Sequence, residues 1–210
     1  MAFLFLHIAD YIWFIMKHLF SILFIFSTII CFGQNKPEGL FINSKAPDFK
    51  LKDQNGVEQN LKELRKKGPV VILFYRGHWC PYCNRELSRF QDSLQLITDK
   101  GATVIAITPE AADGISKTVQ KTAAGFPILH DAEMKTSLAY KVSYEVDEKT
   151  RNRYKSFGND LAIINQQKTG VYLPVPAVYV INKEGSVTYR FFEADYKKRP
   201  FVKDILAEIK

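Results

Sequence analysis

The sequence predicts a three-layer α/β sandwich, one mixed central sheet flanked by helices. Three observations predict it. Apolar, β-rich runs at 69–75, 102–108 and 176–181 leave no polar face, as in strands covered on both sides. Between the first two, Leu87, Phe90, Leu94 and Ile97 recur at helical spacing. After the third, the turn Asn182-Lys183-Glu184-Gly185 folds 187–192 back as a hairpin, so the strands are not all parallel.

The remaining elements follow in order. Residues 36–39 (KPEG) read as part of a linker over 34–43, and 44–210 as the folded domain. Residues 46–51 alternate and read as a strand, and 53–56 as a turn whose Asn55-Gly56 suits positive φ. A short helix over 61–67 is stopped by Gly68, and a longer one over 81–97 is followed by Gly101. Further helices are expected over 109–122 and 132–141, and a short strand over 126–129. Residues 142–170 show no strong period and read as an insertion covering the functional face. A closing helix over 200–209 carries Pro200 in its first turn.

Residues 1–33 are almost wholly apolar and read as an address. Lys17 and His18, the apolar stretch 19–30 and the small residues near Gly33 form the three regions of an export signal, with Met16 a candidate start. The expected location is therefore exported or periplasmic. An uncleaved membrane anchor is the alternative, but 19–32 is short for a span of about 20 residues. A lipoprotein signal at Cys31 is disfavoured by the bulky Ile29 and Ile30.

The net charge is +7, from 29 basic and 22 acidic residues. Its lysines and arginines are dispersed, without the basic, aromatic-interleaved stripe of single-strand binders. Basic balance alone speaks to solubility and steering. Three cysteines are too few for a secreted disulfide scaffold.

Two of them form Cys80-Pro81-Tyr82-Cys83, where a buried strand meets a helix. Cys80 is placed just before the helix, with Pro81 at its first position, where a missing N–H costs nothing. The free amides and dipole of that end favour an anion, here a thiolate. Cys83 lies one turn on, within reach of a disulfide. Cys80 is thus the candidate nucleophile and Cys83 the resolving thiol. A zinc site would need further ligands, and only His78 and His130 offer themselves. Two unrelated core cysteines would not explain Trp79 beside a proline-started helix. His78 either tunes the thiol or relays a proton, or is a loop residue without a role. His130 reads as structural. Trp79 shields the sulfur or simply packs.

The segment Phe74-Tyr75-Arg76-Gly77-His78-Trp79-Cys80-Pro81-Tyr82-Cys83 resembles the F-Y-R-G-x-W-C-P-x-C signature of peroxiredoxin-like proteins of the alkyl hydroperoxide reductase/thiol-specific antioxidant family. Ala46-Pro47-Asp48-Phe49 is similar to the entry strand of that family, and Asp195-Tyr196-Lys197-Lys198-Arg199-Pro200 to its D-Y-x-x-R-P segment. The resemblance covers roughly 44–208. It implies a thioredoxin-like fold and peroxide reduction at Cys80. A Cys80–Cys83 disulfide would form and be reduced by a thioredoxin-type donor, with no metal or organic cofactor. It also implies a cis-proline opposite the reactive cysteine, for which Pro176 is the candidate. Leu173-Pro174-Val175-Pro176 is read as a rigid, exposed edge.

Two departures stand out. Peroxiredoxins carry Thr or Ser three residues before the peroxidatic cysteine and Pro four before that; here the residues are Gly77 and Leu73. They also carry Arg just before the late strand, where this chain has Pro176. Arg76 and Arg190 are the candidate electrostatic substitutes. The alternative function is thiol–disulfide exchange on protein disulfides, which suits Cys-Pro-Tyr-Cys and Pro176.

Overall fold

The computed structural model describes Trp13, Met16 and residues 36–209. The readings of 1–33 as signal, anchor or lipoprotein segment, and of Cys31, therefore lie outside the described residues. Contacts divide the chain into 1–36 and 37–210. In the first unit Trp13 and Met16 are helical and exposed. Among the described residues no helix is long and apolar enough to cross a membrane.

The second unit is built on one five-stranded mixed sheet. Its strands are β3 (Val70–Phe74), β4 (Thr103–Thr108), β5 (Ile128–His130), β8 (Ala177–Ile181) and β9 (Val187–Phe192). Their order is β5-β4-β3-β8-β9. β3, β4 and β5 run parallel, while β8 is antiparallel to both β3 and β9. All five residues of β3 and of β8 are buried. Alternation along β3 divides them: Val71 and Leu73 enter one core, Val70, Ile72 and Phe74 the other. An apolar residue at every position is what two covered faces require.

The helices supply the two covers. The first core takes α2 (Pro81–Asp92), α3 (Leu94–Asp99), α4 (Ala112–Thr122) and α8 (Val202–Glu208), through Leu87, Phe90, Ile97, Ile115 and Ile205. The second takes Leu61 and Leu64 of α1 (Leu61–Lys67), and Tyr140, which follows α5 (Lys135–Ala139). Residues 38–43 are hydrogen-bonded within this unit, as Gly39 N donates to Lys141 O at 3.0 Å and Leu40 N to the Tyr179 hydroxyl at 3.1 Å.

Several boundaries differ from expectation. The strand expected over 46–51 is only β1 (Lys50–Lys52), paired with β2 (Glu58–Asn60) outside the main sheet. The helix expected from 109 begins at Ala112, because Glu110 N donates to Thr108 Oγ1 and holds 109–111 in a loop. Pro200 stands ahead of α8, which Phe201 caps. Residues 142–170 contain β6 (Ser143–Glu145), α6 (Glu148–Ser156) and α7 (Leu161–Ile164). They pack around Val146, Leu161, Val171 and Leu173, with Trp79 and Tyr154 against that small core.

Leu173–Pro176 is not an exposed edge. All four residues are buried, and β7 (Tyr172–Pro174) pairs with β6. No described peptide bond is cis, so the cis assignment of Pro176 is corrected. Residues 175–176 join β7 to β8 without a turn, Val175 N donating to Val142 O at 2.8 Å. An extended residue before proline with a trans bond is the default geometry, and no turn here asks for another.

Candidate active site

Parallel pairing of Phe74 with Ile107 brings the C-terminal ends of β3 and β4 side by side. The loops 75–80 and 108–111 therefore emerge together. Pro176 precedes the Ala177 that pairs with Phe74, so it sits at the same sheet end.

Cys80 is the N-cap of α2, with extended φ and ψ and Pro81 at the first helical position. Its sulfur accepts the Cys83 N–H at 3.4 Å, where a capping oxygen would otherwise stand. Cys80 and Cys83 are joined as a disulfide across a Cα–Cα distance of 5.3 Å, the separation that one helical turn supplies. Both cysteines are buried, at 1% and 0% exposure. The turn before them is tight: Cys80 N donates to Gly77 O at 3.0 Å.

His78 is fixed from every side. Its N–H donates to Glu110 Oε1 at 2.8 Å, and its ring Nδ1 lies 2.5 Å from the same oxygen. Asn84 Nδ2 and Lys121 Nζ donate to its carbonyl at 2.8 and 3.1 Å. Glu110 is fully buried, and its second oxygen accepts from Thr118 Oγ1 at 3.2 Å and from the Tyr75 hydroxyl at 3.5 Å. Burial and this carboxylate hold the Tyr75 phenol well above its ordinary range, so it remains a donor. Room for Glu110 comes from two glycines: a Cβ on Gly77 would stand 2.7 Å from Oε1, and one on Gly114 2.9 Å from it.

Sequence reasoning missed Glu110. The available signal was an acidic residue just past the C-terminal end of a buried parallel strand, where such sheets place functional groups. Glu110→Ala leaves the His78 amide, the Thr118 hydroxyl and the Tyr75 hydroxyl without their common acceptor. A loss of roughly 2–3 kcal/mol is expected, read as a lower urea midpoint at unaltered slope. An unmoved midpoint would show the cluster to be energetically idle.

Arg76 is 2% exposed and enclosed by rings. Its guanidinium carbon lies 4.3 Å from the Tyr196 centroid, 4.8 Å from Trp79 and 5.4 Å from Tyr154, and it donates to the Tyr154 hydroxyl. The Trp79 and Tyr154 rings meet at a tilt of 56°, with centroids 4.8 Å apart. The insertion expected from the unperiodic stretch 142–170 thus covers this end of the sheet. Arg190 is engaged elsewhere: it donates to Glu38 O at 2.5 Å and lies over Phe41 and Phe192. It is removed as a substitute for the missing peroxide-polarising arginine. His130, on β5, is half-buried, and burial lowers its pKa.

A second buried pair escaped the sequence. Arg199 Nε lies 2.8 Å from Glu86 Oε2, and Arg199 Nη2 3.5 Å from Cys83 Sγ. Glu86 follows Cys83 by three residues on α2, on its buried face.

The AhpC/TSA family model matches residues 42–190. A Helicobacter pylori protein provisionally named peroxiredoxin bcp is 28% identical over 160 residues, covering 76% of this chain and 93% of its own. The thiol-disulfide oxidoreductase ResA of Geobacillus kaustophilus is 31% identical over 102 residues, covering 48% of this chain and 58% of its own. Among solved structures, peroxidoxin BcpB of Mycobacterium tuberculosis superposes with a TM-score of 0.61 at 20% identity, covering 80% of this chain and 94% of its own. That likeness carries the fold, which is thioredoxin-like. The match over most of the domain, with Cys80 and Cys83 bonded one turn apart within it, assigns this chain to the AhpC/TSA family of thiol peroxidases and thiol–disulfide oxidoreductases.

Proposed function

We propose that this protein is a thiol peroxidase in which Cys80 reduces the peroxide and Cys83 resolves the product. The Cys80 thiolate attacks one peroxide oxygen, the O–O bond breaks, and the departing alkoxide takes a proton to leave as an alcohol. Cys83 then attacks the Cys80 sulfenic acid, forming the S–S bond and releasing water. A thioredoxin-type donor returns two electrons and opens the disulfide.

The observation that carries this reading is the burial of both cysteines, with Cys80 held as the cap of α2. A peroxide is small enough to enter beside a buried sulfur. Exchange with a protein disulfide needs the cover to open for substrate and again for reductant, whereas a peroxidase opens it only for the reductant. Amides at the helix start supply the positive potential that a thiolate requires. Gly77, where peroxiredoxins carry Thr or Ser, favours the second reading, exchange on protein disulfides.

Stopped-flow mixing of reduced protein with hydrogen peroxide separates the two. A rate well above that of free cysteine supports the peroxidase. A rate no faster than free thiol, together with rapid reduction of insulin, would replace it with the second reading. The same proposal places the protein outside the cytoplasm, on the strength of Lys17, the apolar stretch 19–30 and the small residues near Gly33. N-terminal sequencing of the protein from fractionated cells should find residues 1–33 removed; recovery of the intact N-terminus in the cytosol would contradict it.

A further inference from the structure

We propose that Arg199 is a catalytic residue of the resolving step: its guanidinium stabilises the Cys83 thiolate as Cys83 attacks Cys80, and Glu86 positions it. This deepens the reading above and rests on Cys83 being the resolving thiol.

The two sulfurs have different electrostatic problems. Cys80 caps the helix and receives an amide N–H directly. Cys83 lies inside the first turn, fully buried, with its own N–H committed to Cys80. Burial opposes ionisation of a thiol, yet the thiolate is the species that attacks. A cation in contact is the remedy, and Arg199 Nη2 stands 3.5 Å from Cys83 Sγ. Arg199 reaches it from 116 residues away in sequence, out of the turn that Lys198 N closes onto Asp195 O.

Glu86 sets how freely that charge is available. Its side chain is 3% exposed and that of Arg199 6%. The charged groups facing the pair are Arg89 on α2 and Arg76 from the loop before it. Burial lifts the Glu86 carboxyl to about 7, against the opposing pull of Arg199 and Arg89. One guanidinium therefore faces both the Glu86 carboxyl and the Cys83 sulfur. Below the Glu86 midpoint the carboxyl is neutral and the cation serves Cys83; above it the carboxylate takes a share. The step balances: the Cys83 proton leaves to solvent, the thiolate pair forms the S–S bond, and the displaced hydroxide takes up a proton as water.

The test needs no peroxide, so it remains informative if the peroxidase reading fails. The reduced full chain, carrying Cys31→Ser so that only the pair can react, is mixed with one equivalent of the disulfide reagent DTNB, and released thionitrobenzoate is followed. Cys80 attack releases the first equivalent. Cys83 attack on the Cys80 mixed disulfide releases the second. An opposite charge in contact moves a thiol midpoint by about one to three units. With nucleophilicity falling about half as fast as basicity, two units slow the second release by about tenfold at neutral pH. Arg199→Gln should show that slowing relative to the first release, with the pH midpoint of the second moved upward. Arg199→Lys should recover most of the rate. Glu86→Gln, which removes the competing anion, should move the midpoint down. An Arg199→Gln profile that coincides with the parent overturns the proposal. If that variant does not fold, a Lys variant with an altered profile and no recovery, or an unmoved Glu86→Gln midpoint, overturns it equally.

Discussion

On the proposed peroxidase reading, Cys80→Ser protein is expected to reduce no peroxide beyond the background of buffer and donor. The expected loss is on the order of a thousandfold or more, because the nucleophile is absent and not merely weakened. Serine at this position still caps α2, a role in which its hydroxyl is at least as good as sulfur. The variant should therefore unfold at or near the urea midpoint of the reduced parent, which separates lost chemistry from lost structure. Cys83→Ser gives a different outcome. It should react once with peroxide and stall, accumulating a sulfenic acid or a mixed disulfide with the donor, visible as a mass increase on the intact chain. A Cys83→Ser protein that turns over at the parent's rate with no trapped species would mean that another thiol resolves Cys80.

Gly77→Ala is expected to be strongly destabilising. Gly77 has φ +151°, which an L side chain adopts only under strain. A Cβ there would also stand 2.5 Å from Trp79 Nε1 and 2.7 Å from Glu110 Oε1, both inside contact distance. Backbone strain of about 1–3 kcal/mol and crowding of similar size give a loss of roughly 2–5 kcal/mol. The damage also reaches the chemistry, because the Gly77 carbonyl accepts the Cys80 N–H that closes the turn. Gly56→Ala is the control. Its φ is +77° but nothing lies within 4 Å, so it bears the conformational cost without the collision. Urea unfolding of both should show Gly77→Ala the more destabilised; equal midpoints would mean that Trp79 and Glu110 yield freely.

Local patterns were legible in the sequence, and contacts between distant segments were not. An apolar residue at every position of 70–74 foretold a strand with two covered faces, and Val71 and Ile72 do enter opposite cores. Proline after Cys80 foretold the helix start. The unperiodic stretch after Val142 foretold an insertion, though not the aromatic enclosure of Arg76 that Tyr154 completes. Glu110 was hidden because its partner His78 lies on a neighbouring strand's loop, joined to it only by sheet pairing. Arg199 stood in the D-Y-x-x-R-P segment, but its contacts with Glu86 and Cys83 were hidden for the same reason at greater separation. Glu86 was half visible, since helical spacing from Cys83 puts it on the buried face. Pro176 shows how a resemblance can mislead: the strand it opens is real, but the insertion pairs with Tyr172–Pro174 and leads the chain in without a turn, with a trans bond. Arg190 was chosen for its charge alone, and residues 38–41 claim it.

The sulfur that introduces α2 carries the whole account, and one titration addresses it. Thiolate absorbance of reduced Cys83→Ser protein, followed against pH, reports Cys80 without its partner, and the Cys80→Ser, Cys83→Ser double variant corrects for the remaining groups. Free cysteine is half-ionised near pH 8.5, and thiols at helix starts fall in the range of about 3.5–7.5. The account predicts a Cys80 midpoint in that lower range, with the rate of reaction with peroxide rising along the same curve. A midpoint at or above that of free cysteine would contradict it.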